Sequence, residues 1–294
     1  MTQAFNLAQL ANKVNTSGQL DASTGLVNAT PVANGGTGLA TLTANNLMVG
    51  NGTGNVAFIA PGTTGNSLLS NGTSWVSSAP PYAGSKGQVF IASGTFTIPA
   101  GITALKITVL GGGGGGGSSS GNPCINWTPA SGGGAGGMAI SYLSGLTSGS
   151  TLTVTVGAAG SGGASGTASG TSGGTSSVAS GSQVISTISA TGGTGGTGAG
   201  TIGIVPVVGG SGSGGSINVS GEPAGLFCFS GSNGQFGANA GGSTLYGQAG
   251  RWGVAGASGS AATGYGAGGS GGYSPGSGVR TGGAGTAGLV FIEW

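Results

Sequence analysis

The sequence lacks histidine altogether and contains only five basic and three acidic residues among its 294. Because acid/base catalysis needs ionisable side chains, this scarcity argues against an enzyme. The formal net charge of +2 is too small to attract a phosphate backbone, so no nucleic-acid partner is expected. No apolar run approaches the roughly 20 residues of a membrane-spanning helix. We therefore expect a non-enzymatic protein that is soluble or part of an assembly.

Cysteine is also scarce, with only Cys124 and Cys228 in the whole chain. Their separation and the lack of histidine exclude the ligand spacings of a zinc site, so we expect neither a metal nor a cofactor. Each cysteine lies in a short island without glycine. One interpretation is a disulfide between two loops, and the other is two free, half-buried thiols that pack as small hydrophobic groups.

Glycine is the most abundant residue, at 75 of 294, against an average of about 7%. Such a composition can indicate disorder. Disordered chains, however, combine low hydrophobicity with high net charge, whereas this one is 36% hydrophobic and nearly neutral. A folded form must recover the backbone entropy that each ordered glycine loses, and dense backbone hydrogen bonding or oligomerisation can supply it.

The first 83 residues carry helix and hairpin signals. Leu7, Leu10 and Val14 are spaced by three and four residues, which predicts a short amphipathic helix over residues 3–14. Two Asn-Gly pairs, at 51–52 and 71–72, predict hairpins or fibre-shaft strands. Adjacent prolines at 80 and 81 then indicate a linker, after which a new domain begins at residue 84.

Alternation of apolar and polar residues after the linker predicts half-buried strands. The clearest such runs are Thr95–Ile98, Leu105–Val109, Thr151–Val156, Val184–Ile188 and Leu289–Trp294. Roughly six strands would form a small antiparallel core.

Glycine tracts separate these strands, and one of them, Gly192–Gly200, repeats with a period of three. The others are Gly111–Gly117, Gly132–Gly137, Gly209–Gly215 and Gly266–Gly272. A polyproline-II helix has three residues per turn and no internal hydrogen bonds, so neighbouring helices can pair through their backbones where no Cβ intervenes. The alternative is flexible linker. The predicted fold is therefore mainly β with glycine-rich polyproline-II segments: a short N-terminal helix, fibre-like hairpins, and a small antiparallel core with glycine-rich loops or a polyglycine-helix bundle.

Two blocks of the sequence resemble phage proteins. Residues 31–38 (PVANGGTG), continuing through the Asn-Gly turns to Trp75, resemble modules in the tail fibres of tailed bacteriophages. Residues 94–103 (GTFTIPAGIT), with the glycine run after them, resemble the glycine-rich C-terminal domain of phage tail and receptor-binding proteins. Residues 282–294 are similar to the final strand of that domain.

The resemblance implies a homotrimeric, non-enzymatic tail fibre located in the virion and assembled in the host cytoplasm. Residues 1–30 would attach to other phage tail proteins or oligomerise, and residues 31–83 would form shaft and linker. Residues 84–294 would bind a host surface receptor, either a polysaccharide or an outer-membrane protein. The alternatives are a purely structural tail or decoration protein and a glycine-bundle structural or ice-binding protein.

The candidate receptor contacts are the aromatic and polar islands between glycine tracts, because loops on rigid scaffolds commonly bind and Trp, Tyr and Arg are enriched at binding hot spots. For Trp127, Phe227 and Phe229 the alternative is a place in the hydrophobic core, and Phe96 and Trp294 are expected in the core or a subunit interface. The full candidate set is Ile125, Asn126, Trp127, Phe227, Phe229, Phe236, Tyr246, Arg251 and Trp252.

Overall fold

A computed structural model describes the chain as two compact units, Met1–Ala83 and Gly84–Trp294. The candidate linker falls largely outside the described residues. These comprise residues 3–14, 16–19, 36–39, 41–79, 86–121, 129–199, 207–225, 240–251, 256–274 and 278–294.

The first unit contains one short helix and two hairpins. The helix α1 spans Gln3–Ala11 and ends a turn before the predicted Val14, whose amide donates to the Ala11 carbonyl in a closing turn. Phe5 and Leu7 on this helix are exposed. The hairpins pair β1 (Leu47–Val49) with β2 (Ala57–Ile59), and β3 (Ser67–Ser70) with β4 (Trp75–Ser78).

Both Asn-Gly pairs lie in the loops of these hairpins, as predicted. Gly52 and Gly72 have φ of 61° and 87°, a region that L-residues with a Cβ rarely occupy. In the second loop the Asn71 carboxamide oxygen accepts from the amides of Thr73 and Ser74, at 2.9 and 2.7 Å. Local side-chain chemistry therefore fixes this turn.

The second unit contains two five-stranded antiparallel sheets that share one hydrophobic core. In spatial order, the first sheet contains β14 (Ile217–Val219), β9 (Met138–Ser144), β7 (Ala104–Leu110), β18 (Leu289–Glu293) and β5 (Gly87–Phe90). The second contains β13 (Gly212–Ser213), β12 (Ile188–Ala190), β11 (Ser176–Ser180), β10 (Thr151–Thr155) and β6 (Gly94–Thr97).

The core between the sheets consists of the alternate apolar residues of their strands. Phe96 is 1% exposed, and its ring centroid lies 5.4 Å from that of Trp294, so the expectation that both belong to the core or an interface is confirmed for the core. The prediction of a strand at Val184–Ile188 is wrong except for Ile188. Val184 is 81% exposed, because the Ser180 hydroxyl bonds both backbone groups of Ile185 and closes a loop before β12.

The glycine tracts leave these sheets as extended segments that bond to their neighbours. Inner tract 1 (residues 111–118) is the clearest: each amide from Gly111 to Ser118 donates to another segment, over 2.8–3.0 Å. The donors recur with a period of three. The amides of Gly111, Gly114 and Gly117 donate to residues 137, 134 and 131. The amides at 112, 115 and 118 donate to residues 174, 171 and 168, and those at 113 and 116 donate to residues 286 and 283.

The carbonyl groups of inner tract 1 repeat the same period toward three other segments. They accept from residues 160 and 163, from residues 193, 196 and 199, and from residues 269 and 272. Inner tract 1 therefore has six neighbours, three antiparallel and three parallel. This is a bundle of helices with threefold backbone repeat, as expected for polyproline-II segments.

Close packing explains why inner tract 1 carries no side chains before Ser118. A Cβ on any residue from Gly111 to Gly117 would lie within 3.0 Å of backbone atoms of a neighbouring segment. The obstructing carbonyls also recur in threes: those of Thr191, Thr194 and Thr197 face Gly111, Gly114 and Gly117. Only glycine fits at every position of a segment surrounded on all sides.

Within the described part of the chain, inner tract 2 (residues 129–137) and inner tract 3 (residues 266–274) are also bonded on many sides. Each is bonded to inner tract 1 and to the other, and each has additional partners among the outer segments. The predicted tract at Gly209–Gly215 is wrong beyond residue 211, because the short strand β13 and a turn at Gly214, with φ of 71°, follow there. The small strands β8 (Ser119–Gly121) and β17 (Gly278–Arg280) pair with each other, as do β15 (Gly247–Gln248) and β16 (Thr263–Gly264).

Candidate receptor-binding surface

The bundle has two different ends. Inner tract 1 begins directly after β7, inner tract 2 leads directly into β9, and residues 191–199 follow β12. Because all of these junctions lie at one end of the bundle, we call it the sheet end. The opposite end, beyond Ser118, is the far end.

The described residues that precede most of the candidate islands lie at the far end. Gly121 is in β8, three residues beyond Ser118, and the Ala199 amide donates to the Ser118 carbonyl over 2.9 Å. Gly225 donates to Ala240, whose carbonyl faces Gly132 near the start of inner tract 2. Most of the candidates themselves lie outside the described residues: Ile125, Asn126, Trp127, Phe227, Phe229, Phe236 and Trp252, with Cys124 and Cys228.

Two of the predicted contact residues, Tyr246 and Arg251, are described, and the structure does not bring them together. Tyr246 lies in the loop that begins the β15–β16 hairpin at the sheet end and is 41% exposed. Arg251 is exposed and follows Gly250, whose amide donates to Gly268 part-way along the bundle. The two side chains therefore belong to different levels of the domain.

The sequence that contains the glycine tracts is similar to a known protein family. A family model described as a glycine-rich domain matches residues 89–294, more than two thirds of the chain. The chain belongs to this glycine-rich domain family. No curated protein matches the sequence.

The glycine-rich domain has a shallow depression of about 470 Å³ on the β15–β16 hairpin. Residues 243–248, Thr263 and Gly264 line it. The sequence analysis identified Tyr246 here but missed its neighbours. Leu245 is 80% exposed beside it, and an apolar pair in an otherwise polar turn was the signal that could have marked the loop.

Three charged side chains near this hairpin form an ion pair or a hydrogen bond within the protein. Lys106 on β7 and Glu293 on β18 are register partners and form a 2.8 Å ion pair. The hydrogen bond and charge of Glu293 raise the pKa of Lys106, and the nearby phenols of Tyr142 and Tyr246 add to the effect. The Glu222 carboxylate accepts from the Ser243 amide over 2.7 Å.

The described residues hold no group of three or more His, Cys, Asp or Glu side chains that could bind a metal ion. Across that same part of the chain, no helix has the length and apolar character needed to cross a membrane. Apart from a few charged side chains such as the exposed Arg251, the described surfaces offer hydrogen bonding by hydroxyl and amide groups and contact by aromatic and aliphatic side chains.

Proposed function

We propose that the chain is a non-enzymatic bacteriophage tail fibre, and that loops on its glycine-rich domain attach the virion to a receptor on the host bacterial surface. The receptor is a polysaccharide or an outer-membrane protein. Residues 1–30 join other tail proteins, residues 31–83 form shaft and linker, and the fibre is a homotrimer. The family match extends over the glycine-rich domain, and the phage role rests on the sequence resemblance together with the geometry of the bundle.

The observation that carries the proposal is the arrangement of the chain at the far end. Gly121 and Gly225 precede the candidate residues at 125–127 and at 227–236, and both belong to segments that run away from the sheets. The bundle between the two ends is held by backbone hydrogen bonds and glycine contacts. A rigid scaffold whose segments end together is typical of loop-based binding proteins.

A non-enzymatic role agrees with the environment of the described carboxylates. Glu293 is paired with Lys106 within a sheet, and Glu222 accepts a backbone hydrogen bond. Glycoside hydrolysis normally uses two carboxyl groups on either side of the scissile bond, free to act as acid and as base or nucleophile. These two groups instead support the fold.

The test is binding of the purified full chain to intact bacteria from a panel of candidate hosts, together with protection of those cells from infection. We expect saturable binding restricted to certain strains, and blocked infection of the same strains. Trp127→Ala and Trp252→Ala should weaken binding, whereas Val184→Ala, an exposed residue at the sheet end, should not. A folded chain that binds no strain of a susceptible panel would overturn the proposal in favour of a purely structural tail role.

A further inference from the structure

We propose that the depression on the β15–β16 hairpin is a binding site for a neutral saccharide unit. The site lies at the sheet end of the glycine-rich domain, whereas Gly121 and Gly225, which precede most of the candidate receptor contacts, lie at the far end. It is built entirely from described residues. The inference does not depend on the tail-fibre role and can be tested in solution without any host cell.

The size and shape of the depression suit a small ring. Its volume of about 470 Å³ falls within the range of roughly 300–1,000 Å³ that is usual for small-molecule sites. The depression is shallow, so an occupant keeps one side in water. A saccharide unit within a longer chain has this requirement, because its linked neighbours must continue into solvent.

Two neutral polar side chains of the depression, Gln248 and Thr263, are available to a ligand. Gln248 and Thr263 are register partners on β15 and β16, and both are exposed. Neither side chain hydrogen-bonds to any described residue of the protein. A carboxamide offers two donors and an acceptor, and a hydroxyl offers both functions. Together they match adjacent sugar hydroxyls, each of which can donate and accept. No Lys, Arg, Asp or Glu lines the depression, so its walls offer no ion pair to a ligand. The charged groups nearby are already engaged, Glu222 by the Ser243 amide and Lys106 by Glu293.

The apolar part of the depression lies directly beside these groups. Leu245 is 80% exposed and Tyr246 is 41% exposed. An aliphatic side chain and a phenol ring can cover the C–H face of a sugar ring, and burial of that surface is favourable. Polar groups for the rim of a sugar and apolar groups for its face therefore occur in one turn.

Hydrogen bonds hold the loop in place before any ligand arrives. The Thr244 hydroxyl donates to the Tyr265 carbonyl over 2.7 Å and accepts from the Tyr246 amide over 3.2 Å. The Ser243 amide donates to Glu222 over 2.7 Å. Gly264 has φ of 79° and packs against the Tyr246 carbonyl, so the two strands approach closely. A preformed site loses little conformational entropy on binding.

The experiment is ligand-observed NMR titration of the full chain with neutral saccharides: glucose, galactose, mannose, N-acetylglucosamine and their disaccharides. Concentrations should reach about 50 mM, since a shallow site with few contacts binds small ligands in the millimolar range. Two variants remove the proposed contacts, Gln248→Ala and Leu245→Ala. Two matched controls remove exposed groups of the same kind elsewhere: Gln88→Ala on β5, and Val184→Ala, which at 81% is as exposed as Leu245.

We expect saturable binding of at least one saccharide, weakened roughly fivefold by loss of the carboxamide and about threefold by loss of the leucine side chain. The control variants should bind like the unmodified chain. All four substitutions replace exposed side chains, and equal melting temperatures will show that each variant is folded. No saturable binding by any saccharide would overturn the proposal, as would binding that both site variants leave unchanged.

Discussion

Replacement of Gly114 by alanine is the sharpest test of how inner tract 1 is packed. The added Cβ would lie 2.7 Å from the carbonyl carbon of Thr194 and 3.0 Å from the oxygen of Gly193, and closer still to the oxygen of Thr194. Real Cβ atoms essentially never come under 3.0 Å of such atoms. All three obstructing atoms belong to the backbone, so no rotamer change can relieve the contact. Residues 191–199 must move away.

The cost of that movement follows from the hydrogen bonds on either side of the contact. Gly193 donates to Gly112 over 2.9 Å, and Gly196 donates to Gly115 over 2.8 Å. Loss of a buried backbone hydrogen bond costs about 1–3 kcal/mol, so disruption of both bonds costs roughly 2–6 kcal/mol. For a domain of this size each kcal/mol lowers the melting temperature by about 2–4 °C, which gives a decrease of roughly 4–24 °C.

Calorimetry of the full chain measures this decrease, and Gly94→Ala is the matched control. A Cβ at Gly94 would lie 3.6 Å from the Phe90 ring, an ordinary van der Waals distance, and we expect a change in melting temperature below about 2 °C. Hydrogen exchange of the amides of inner tract 1 should also accelerate in the Gly114 variant alone. If Gly114→Ala melts within about 2 °C of the unmodified chain, the packing described for inner tract 1 is incorrect.

Two further substitutions examine side chains of the bundle. Thr194→Val removes the hydroxyl that donates to the Val208 carbonyl over 2.8 Å and accepts from the Val208 amide over 3.0 Å. We expect the free energy of unfolding, measured with denaturant, to fall by about 1 kcal/mol. An unchanged free energy would show that water replaces the hydroxyl fully. Burial raises the pKa of Tyr273 above its ordinary value of 10.0, so its contribution to stability is complete below pH 10 and is lost as the pH rises through the folded-state pKa. Between about pH 9 and pH 11 the melting temperature should therefore fall less for Tyr273→Phe than for the unmodified chain. An equal fall in the two proteins would contradict this assignment.

The innermost part of the bundle was predictable because close packing requires glycine at every one of its positions. Seven consecutive glycines at 111–117 mark a segment that is enclosed on all sides, and Gly192 to Ala199 shows the period of three because only part of its surface is enclosed. Thr194 and Thr197 occupy the remaining third of the positions, where their hydroxyls bond to neighbouring segments.

Outer segments were missed because they need glycine only where they meet a neighbour. Gly157, Gly160 and Gly163 recur at every third residue, and a Cβ on each would collide with backbone of residues 168–174. Three of the four residues between them, at 158, 159 and 161, carry side chains. One glycine at every third position is therefore the pattern that indicates an outer segment, and a search for runs of glycine overlooks it.

The depression was missed for a different reason. Gln248 and Thr263 come opposite each other only through the pairing of two short strands separated by fourteen residues, 249–262, and no local pattern encodes that pairing. Tyr246 was identified by residue type alone, without its location at the sheet end. The strand prediction at Val184 failed similarly, since a β-branched run does not reveal that the Ser180 hydroxyl closes a loop there.

The direction of the hydrogen bonds in the bundle has a mechanical consequence. Those of inner tract 1 join it sideways to six neighbours, while the domain starts and finishes at the sheet end, where Lys86 and Trp294 exchange backbone hydrogen bonds. Tension between the far end and these termini therefore acts along the segments and loads many bonds in shear at the same time. Peeling one bond after another would require a pull across the segments. A domain with few charges and 64 glycines among its 211 residues can in this way resist axial force.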